Sequence, residues 1–324
     1  MTVGLRNESL TRYVQLQNKL NMKLKTTLIF AFLSIIGPYS FSQNQEDIQT
    51  LSIFSEYVKS KNYDAAYTPW MELRQRNPRF NKAIFVYGER ILKDKIKRSS
   101  GKEKVNFIND MLVLWDERAQ YFASVTPKGT YMAKACQLRY DNRDELGIDK
   151  VQLHSDFSEA YNTDPQTFTN PKSLYTYFSL VVDMYDAGNL PAQELFNSYE
   201  VVTEKVESEV KNYTNKRNAF LDEEGAPKEL SRTDASRLKS YNSYLKAYDQ
   251  ISSSIDVKLG SRANCENLIP LYSRDFEAFK NDGLWLQRAM NRMYAKGCNE
   301  DPLFVKIVEQ KNNLEPNADT SFYL

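Results

Sequence analysis

The residues best suited to acid–base, metal or thiol chemistry are few in this chain, which has one histidine, His154, and three cysteines. Hydrolytic and metal-dependent enzymes usually recruit histidine, and no second metal ligand lies near His154 in the sequence. The spacing of His154 and Asp156 is typical of a loop or a helix start, and neither residue accompanies a serine or cysteine nucleophile in a recognisable motif. We therefore expect a protein that is not an enzyme.

The sequence contains no complete motif for cofactor or metal binding. The stretch DNRDELG, residues 141–147, is faintly similar to a calcium loop, but Leu146 stands where the sharp turn needs glycine and Gln152 where the bidentate glutamate belongs. No glycine-rich phosphate-binding motif is found. The carboxylate pair Glu223 and Glu224 lies in a polar, breaker-rich segment, which is a poor place for a shifted pKa. We expect no cofactor and no metal.

Two of the cysteines are placed to pair. Cys265 precedes one predicted helix and Cys298 follows the next, and the Asn-Asp-Gly turn at 281–283 lies midway between them. In an antiparallel hairpin these positions face each other, so a disulfide forms if the side chains point inward. The alternative is two reduced cysteines at helix ends. Cys136 lies on an apolar helix face and is predicted to be a small core residue rather than a nucleophile.

The overall composition favours helices and gives no polyanion-binding signal. Lys plus Arg number 43 against 42 for Asp plus Glu, so no net field draws in nucleic acid or a charged membrane surface. The basic run at residues 93–104 has acidic residues within it and is predicted to be a solvated helix end and loop. With 41% hydrophobic residues, 21 tyrosines and only 11 glycines and 11 prolines, the chain is predicted to be globular and all-α.

The N-terminal region is predicted to be an export signal. Residues 22–42 have a positively charged start, an apolar run at 26–36 that is too short to span a bilayer, and small residues before a cleavage point after Ser42. An uncleaved anchor is the alternative. Residues 1–21 are interpreted as a mis-called start or an extension. The protein is therefore expected to be exported, in the periplasm or associated with the cell envelope, with no stable membrane span after cleavage.

A helical hairpin is predicted at the start of the mature chain. Spacings of three and four residues place one apolar set on a single helical face, and Asn77-Pro78 ends that helix. A second apolar face precedes it, with a tight turn at 61–62 between the two. The first set consists of Tyr63, Ala66, Trp70 and Leu73, and the preceding one of Ile53, Phe54, Tyr57 and Val58.

This hairpin and the next helix resemble the tetratricopeptide repeat (TPR). Ala66, Trp70 and Pro78 match the A-x3-F and terminal proline of that family's second helix, with Trp for Phe. The family's first-helix spacing, W-x2-L-G-x2-Y, is similar to that of Ile84, Tyr87, Gly88 and Ile91, and Ile91 lies one 34-residue period after Tyr57. Phe54 departs from the family's glycine, and Ile84 and Ile91 replace its aromatic residues. The resemblance covers about the first 50 mature residues and implies a solenoid of antiparallel helix pairs.

The rest of the chain is interpreted as looser helix pairs around one longer hairpin. Residues 44–190 and 261–324 are predicted to be TPR-like repeats, and 191–260 an antiparallel pair of long helices joined by the polar segment DEEGAPKELSRTD. Two interpretations of the long hairpin stay open. It is either a projecting arm for docking or an enlarged repeat packed along its neighbours.

The resemblance implies that the protein works by binding a protein or peptide partner on a concave surface. In the TPR family the groove residues lie on the first helix of each pair, which here gives Glu56, Lys59, Tyr87 and Arg90; Tyr57 suits either packing or binding. The alternative is a carbohydrate-binding envelope protein, whose tyrosines would stack on sugars. Against that alternative, the chain lacks the lipid-modified N-terminal cysteine common in surface glycan receptors, and most aromatic residues fall on the packing periodicity.

Overall fold

The structure, a computed structural model, describes residues 44–316, and this part of the chain is all-α, with helices joined by short loops and no β-strand. The predicted signal segment, residues 1–21 and the final residues 317–324 lie outside the described residues. The chain divides after Ala123 into two compact units. The solenoid arrangement as such stays a prediction.

Within residues 44–123, the first unit has four α-helices. Helix α3 packs against both α2 and α4. The first helix ends before the predicted tight turn, where Lys61 adopts a positive φ of 60° and Asn62 caps α2 by accepting from the backbone N–H of Ala65. The helices are α1 at residues 44–59, α2 at Tyr63–Arg76, α3 at Ala83–Arg98 and α4 at Gly101–Tyr121.

Trp70 is the centre of the first unit's core. Its side chain is fully buried, and its indole Nε1 donates a hydrogen bond to the backbone oxygen of Ile84 at 2.8 Å. Gly88, one turn further along α3, leaves room for the ring, because a Cβ at that position would lie 2.6 Å from it. The residues that carry the TPR resemblance therefore pack against one another, although the family itself is not established by this contact.

Arg74 links α2 to α4 from a nearly buried position. Its guanidinium pairs with Asp110 at 2.6 Å and Glu117 at 2.7 Å, and lies 5.3 Å from the centre of the Trp70 ring. A buried charge is tolerated only when it is paired in this way. The two carboxylates on α4 therefore fix that helix against α2.

The second unit contains the remaining helices and one continuous hydrophobic core. Helices α5, α7 and α8 pack on one another, and α11, α12 and α13 do the same near the C-terminal end of the described residues. The helices are α5 at Lys128–Asp141, α6 at Arg143–Leu146, α7 at Lys150–Thr163, α8 at Pro171–Asp186, α9 at Ala192–Asn218, α10 at Arg232–Leu259, α11 at Cys265–Phe279, α12 at Gly283–Ala295 and α13 at Pro302–Leu314.

Helices α9 and α10 form the long hairpin, with 27 and 28 residues respectively. The C-terminal half of α10 runs alongside α8 in the same direction. Tyr248 donates a hydrogen bond to the Thr169 carbonyl before α8, and Arg262 pairs with Asp186 at the end of α8. This half of the hairpin is packed along its neighbours, as one of the two sequence interpretations expects.

The outer half of the hairpin, residues 211–247, differs from the inner half and is called the arm below. Leu238, which is 8% exposed, is the only buried side chain among these residues. The two helices of the arm hold together mainly through their own aromatic side chains, with the Tyr213 ring stacked 4.7 Å from that of Tyr244 and Phe220 lying 6.0 Å from Tyr241. The arm therefore presents most of its surface to solvent.

Candidate functional site

The four residues predicted from the TPR resemblance come together on the first unit. Glu56 and Lys59 form an exposed ion pair at 2.6 Å on α1. On α3, the Arg90 guanidinium lies 5.6 Å from the centre of the Tyr87 ring, and that ring packs edge-on against Phe54 of α1. The hydrogen bond that the Lys59 ammonium donates to Glu56 raises the pKa of Lys59, and the Tyr87 hydroxyl contributes a smaller effect in the same direction. Whether this surface binds anything stays a prediction.

A second candidate surface lies on the arm, between the connecting loop and α10. The loop has a defined shape, because Asp222 accepts a hydrogen bond from the backbone N–H of Ala226 at 2.7 Å and Gly225 takes a positive φ of 81°. Against it lies a groove of about 600 Å³, called the arm groove below. Its lining is mostly apolar and consists of Pro227, Lys228, Leu230, Ala235, Leu238, Lys239, Asn242, Ser243 and Lys246.

The charge of the arm groove has one sign. Three lysines line it and no carboxylate does. The Lys228 ammonium donates to the Ala219 carbonyl at 3.3 Å, whereas Lys239 and Lys246 are exposed and have no ion-pair partner among residues 44–316. Two free ammonium groups therefore border an apolar surface.

A third candidate lies at the base of the long hairpin, where α9, α10 and α12 enclose a half-open cavity of about 380 Å³, called the root cavity below. Each helix contributes residues spaced three or four apart, which lie on one face. The lining consists of Tyr199, Thr203, Val206, Glu207, Ser252, Ile255, Asp256, Leu259, Gly260, Ala263, Arg288, Asn291, Arg292, Ala295 and Lys296.

Most charges of the root cavity are neutralised within the wall. Arg288 pairs with Glu207 at 2.6 Å and Glu204 at 2.8 Å, and Arg292 pairs with Glu200. Burial raises the pKa of Glu204. The Arg292 guanidinium also lies 4.1 Å from the centre of the Tyr199 ring, which makes a cation–π contact. These pairs hold α12 against α9.

The hydroxyl of Tyr199 donates a hydrogen bond to Asp256 across the cavity. Burial raises the pKa of Tyr199 to about 12, although Arg292 lowers it by a smaller amount. The phenol therefore stays protonated at neutral pH and acts as a donor. No sequence motif predicts this cavity, although the i, i+4, i+8 spacing of Arg288, Arg292 and Lys296 indicates a charged helix face.

The predicted cysteine pair meets at the end of the α11–α12 hairpin. The Sγ atoms of Cys265 and Cys298 are 2.17 Å apart, as in a disulfide, with a Cα–Cα distance of 5.4 Å. This is the pairing that the hairpin spacing predicts. Cys136 is a free, buried thiol, and burial raises its pKa to about 12, so it is not a thiolate at neutral pH.

His154 lies in α7 beside aromatic packing. Its ring stacks on that of Tyr177 at 6.5 Å, burial lowers its pKa, and its Nε2 lies 3.5 Å from the Ser158 hydroxyl. Asp156 pairs instead with Arg139 at 3.2 Å. The structure thus does not join His154 and Asp156 into a pair.

The basic run and the acid-rich stretch form ion pairs within the protein. In the basic run, Lys95 and Arg98 both pair with Asp64, at 2.6 and 2.8 Å. In the acid-rich stretch, Asp141 pairs with Lys172 at 2.7 Å. Among residues 44–316 no cluster of three or more potential metal ligands is found, and no helix there is long and apolar enough to cross a membrane.

No protein-family model matches this sequence, and a search of curated proteins finds no match.

Proposed function

We propose that this protein is a non-enzymatic binding scaffold that acts by docking another protein, and that the arm groove takes an acidic amphipathic segment of that partner. The observation that carries the proposal is the position of Lys239 and Lys246, two free ammonium groups at the border of an apolar groove on a projecting hairpin.

The chemistry of the partner segment follows from the lining. Leu230, Leu238 and Pro227 provide an apolar floor, which favours a segment with leucine-like side chains on one face. Three lysines with no opposing carboxylate favour acidic residues on the flanks of that segment. An apolar strip bordered by carboxylates, as on an amphipathic helix, meets both requirements.

The first unit supplies a second surface for the same function. Glu56, Lys59, Tyr87 and Arg90 provide both charges and an aromatic face, which suits a peptide with mixed charge. The resemblance to tetratricopeptide repeats supports a binding role for them.

Export to the periplasm or cell envelope belongs to the proposal as well, and a disulfide at Cys265 and Cys298 is compatible with an oxidising compartment.

A direct test uses two helical peptides of equal length and equal leucine content, one carrying glutamates on its polar face and the other lysines. Fluorescence anisotropy measures the binding of each to the protein. We expect the acidic peptide to bind more tightly, with an affinity that falls as salt rises from 50 to 300 mM, because surface charges are screened on this scale.

The decisive variant is the double substitution Lys239→Glu and Lys246→Glu, which reverses the charge of the groove at two exposed positions. Its matched control is Lys211→Glu with Lys216→Glu, which makes the same change in net charge on α9. We expect the first pair to abolish or invert the preference for the acidic peptide and the control to leave it unchanged. Equal effects of the two pairs, or no preference in the parent protein, would contradict the proposal.

The carbohydrate-binding alternative is decided by a parallel experiment. The protein is applied to a polysaccharide array and, separately, used to capture proteins from envelope extract. The sugar-binding function would be favoured if the protein binds a glycan, binds neither peptide, and still binds the glycan after Lys239→Glu with Lys246→Glu. The surface on the first unit has its own test, which is the combined substitution by alanine of Glu56, Lys59, Tyr87 and Arg90. Some proteins from the extract should still bind the arm variant. We expect this fourfold variant to lose those proteins.

A further inference from the structure

We propose that the root cavity is a binding site for a small zwitterion of dipeptide size with an apolar side chain. This inference is independent of the docking function assigned to the arm groove, because the two sites share no lining residue.

Two lining charges have no ion-pair partner among residues 44–316, and they have opposite signs. The exposed Asp256 accepts a hydrogen bond from Tyr199 but forms no ion pair. The Lys296 ammonium donates to the Gly260 carbonyl at 3.2 Å but meets no carboxylate. The remaining charged side chains of the lining, Arg288, Arg292 and Glu207, are already paired. A ligand that brings one positive and one negative group would therefore complete both unpaired sites.

The backbone positions that the two groups contact give the scale of the proposed ligand. The backbone N–H of Gly260 donates to the Asp256 carbonyl, so these residues lie one helical turn apart along α10. One turn rises about 5.4 Å. Because each residue of an extended peptide spans at most about 3.3–3.6 Å, the ammonium and carboxylate of a dipeptide lie up to about 7 Å apart. A dipeptide matches this scale and is the ligand that we propose.

The uncharged part of the cavity favours an apolar side chain. Val206, Ile255, Leu259, Ala263 and Ala295 provide that part of the wall. The volume of about 380 Å³ is at the small end of the range of roughly 300–1,000 Å³ seen for small-molecule sites. Burial of an aliphatic side chain here provides affinity, while the two charges fix its orientation.

The rim of the cavity is held by the disulfide. Ala263 lies two residues before Cys265, and Lys296 lies two residues before Cys298. The bond between the cysteines therefore fixes the two rim segments relative to each other. A rim fixed before the ligand arrives reduces the entropy lost on binding.

The test uses calorimetric titration of the oxidised protein with leucyl-leucine, N-acetyl-leucyl-leucine, leucyl-leucine amide and free leucine. Blocking the amino group removes the cation for Asp256, and amidation removes the anion for Lys296. Because Asp256 and Lys296 are both exposed, we expect leucyl-leucine to bind about twofold to fivefold more tightly than either blocked form, as for exposed ion pairs.

Two variants assign the ends of the ligand. Asp256→Asn keeps an acceptor for Tyr199 but removes the charge, and is expected to abolish discrimination against the acetylated peptide only. Lys296→Gln is expected to abolish discrimination against the amide only. The matched controls are Asp249→Asn on α10 and Lys211→Gln on α9, both exposed and outside the lining, and neither is expected to change any affinity.

Two outcomes would overturn the inference. One is that none of the four compounds binds to the parent protein. The other is that the blocked and unblocked peptides bind equally, or that the control substitutions weaken binding as much as those at Asp256 and Lys296. Far-UV circular dichroism shows whether each variant is folded. If Lys296→Gln is not folded, Lys296→Met is used in its place.

Discussion

The indole ring of Trp70 occupies the space that a side chain at position 88 would need. A Cβ on Gly88 would lie 2.6 Å from ring carbon Cζ2, and real Cβ atoms do not approach other atoms so closely. We predict that Gly88→Ala destabilises the protein by about 1–3 kcal/mol through overpacking, although alanine is the better helix former. Urea denaturation followed by circular dichroism measures the change.

A double-mutant cycle with Trp70→Phe isolates this contact. Phenylalanine lacks the part of the indole ring that lies against position 88, and it also lacks the Nε1 group that donates to the Ile84 carbonyl. We therefore expect the double variant to be less destabilised than the sum of the two single variants, since residues in contact are not additive. Additive free energies of unfolding would show that the ring does not limit position 88.

Loss of the disulfide is predicted to cost stability without loss of fold. Cys265→Ser opens a loop with a sequence separation of 33 residues, for which the chain-entropy model gives about 3–4 kcal/mol. Denaturation of the oxidised protein, the reduced protein and the variant measures the difference. The reduced protein and Cys265→Ser should match, and a reductant should have no further effect on the variant. Free thiols at both positions in the purified oxidised protein would refute the pairing.

Arginine at position 292 is predicted not to be replaceable by lysine. The Arg292 side chain is nearly buried, stacks on Tyr199 and bonds to both Glu200 and Tyr272. A lysine ammonium cannot reproduce the planar contacts, so Arg292→Lys is expected to lower the free energy of unfolding by about 1–3 kcal/mol. Arg274→Lys, at a much more exposed ion pair, serves as the control and should change it by less than about 0.5 kcal/mol. An equal loss at both positions would contradict the structural role.

Stability is predicted to fall in acid partly through Asp164. The hydroxyl of Thr167 and then the backbone N–H of Gly129 donate to its carboxylate and lower its pKa. Because the folded pKa lies below the unfolded value of about 3.9, this contribution is present above about pH 4 and is lost as the pH falls through the folded pKa.

Thermal unfolding between pH 2 and pH 7 tests this assignment. Asp164→Asn should lower the melting temperature at pH 7 and make its decline below pH 4 shallower than in the parent protein. The exposed Asp249→Asn provides the comparison and should leave the acid-dependent decline unchanged. A parallel decline in Asp164→Asn and the parent would show that the Asp164 carboxylate does not contribute.

Features set by local spacing could be predicted from the sequence. The end of α2 at Arg76, before Asn77-Pro78, follows from proline geometry, and the α9 and α10 helices follow from their apolar periodicity. The cysteine pair follows from symmetry about a single turn. In each case the relevant residues lie within one helix or one hairpin, so the pattern contains the information.

Features that join distant segments could not be predicted in this way. The pair of Arg288 with Glu207 spans 81 residues, and no spacing rule says which face of α12 meets α9. The same limit applies to α1, where the apolar set includes Ile53 and Tyr57. These two side chains are 43% and 38% exposed, while Phe54 and Val58 are buried. Periodicity identified the face but not how much of it is covered.

The bonds between α10 and α8 determine how the arm responds to force. Tyr248 and Lys258 of α10, and Arg262 in the turn that follows it, bond to residues before, within and at the end of α8. Because α10 runs alongside α8 in the same direction, a pull on the arm along its axis loads all these contacts at once, in shear. Tension applied to the arm is therefore transmitted through these contacts to the core of the second unit.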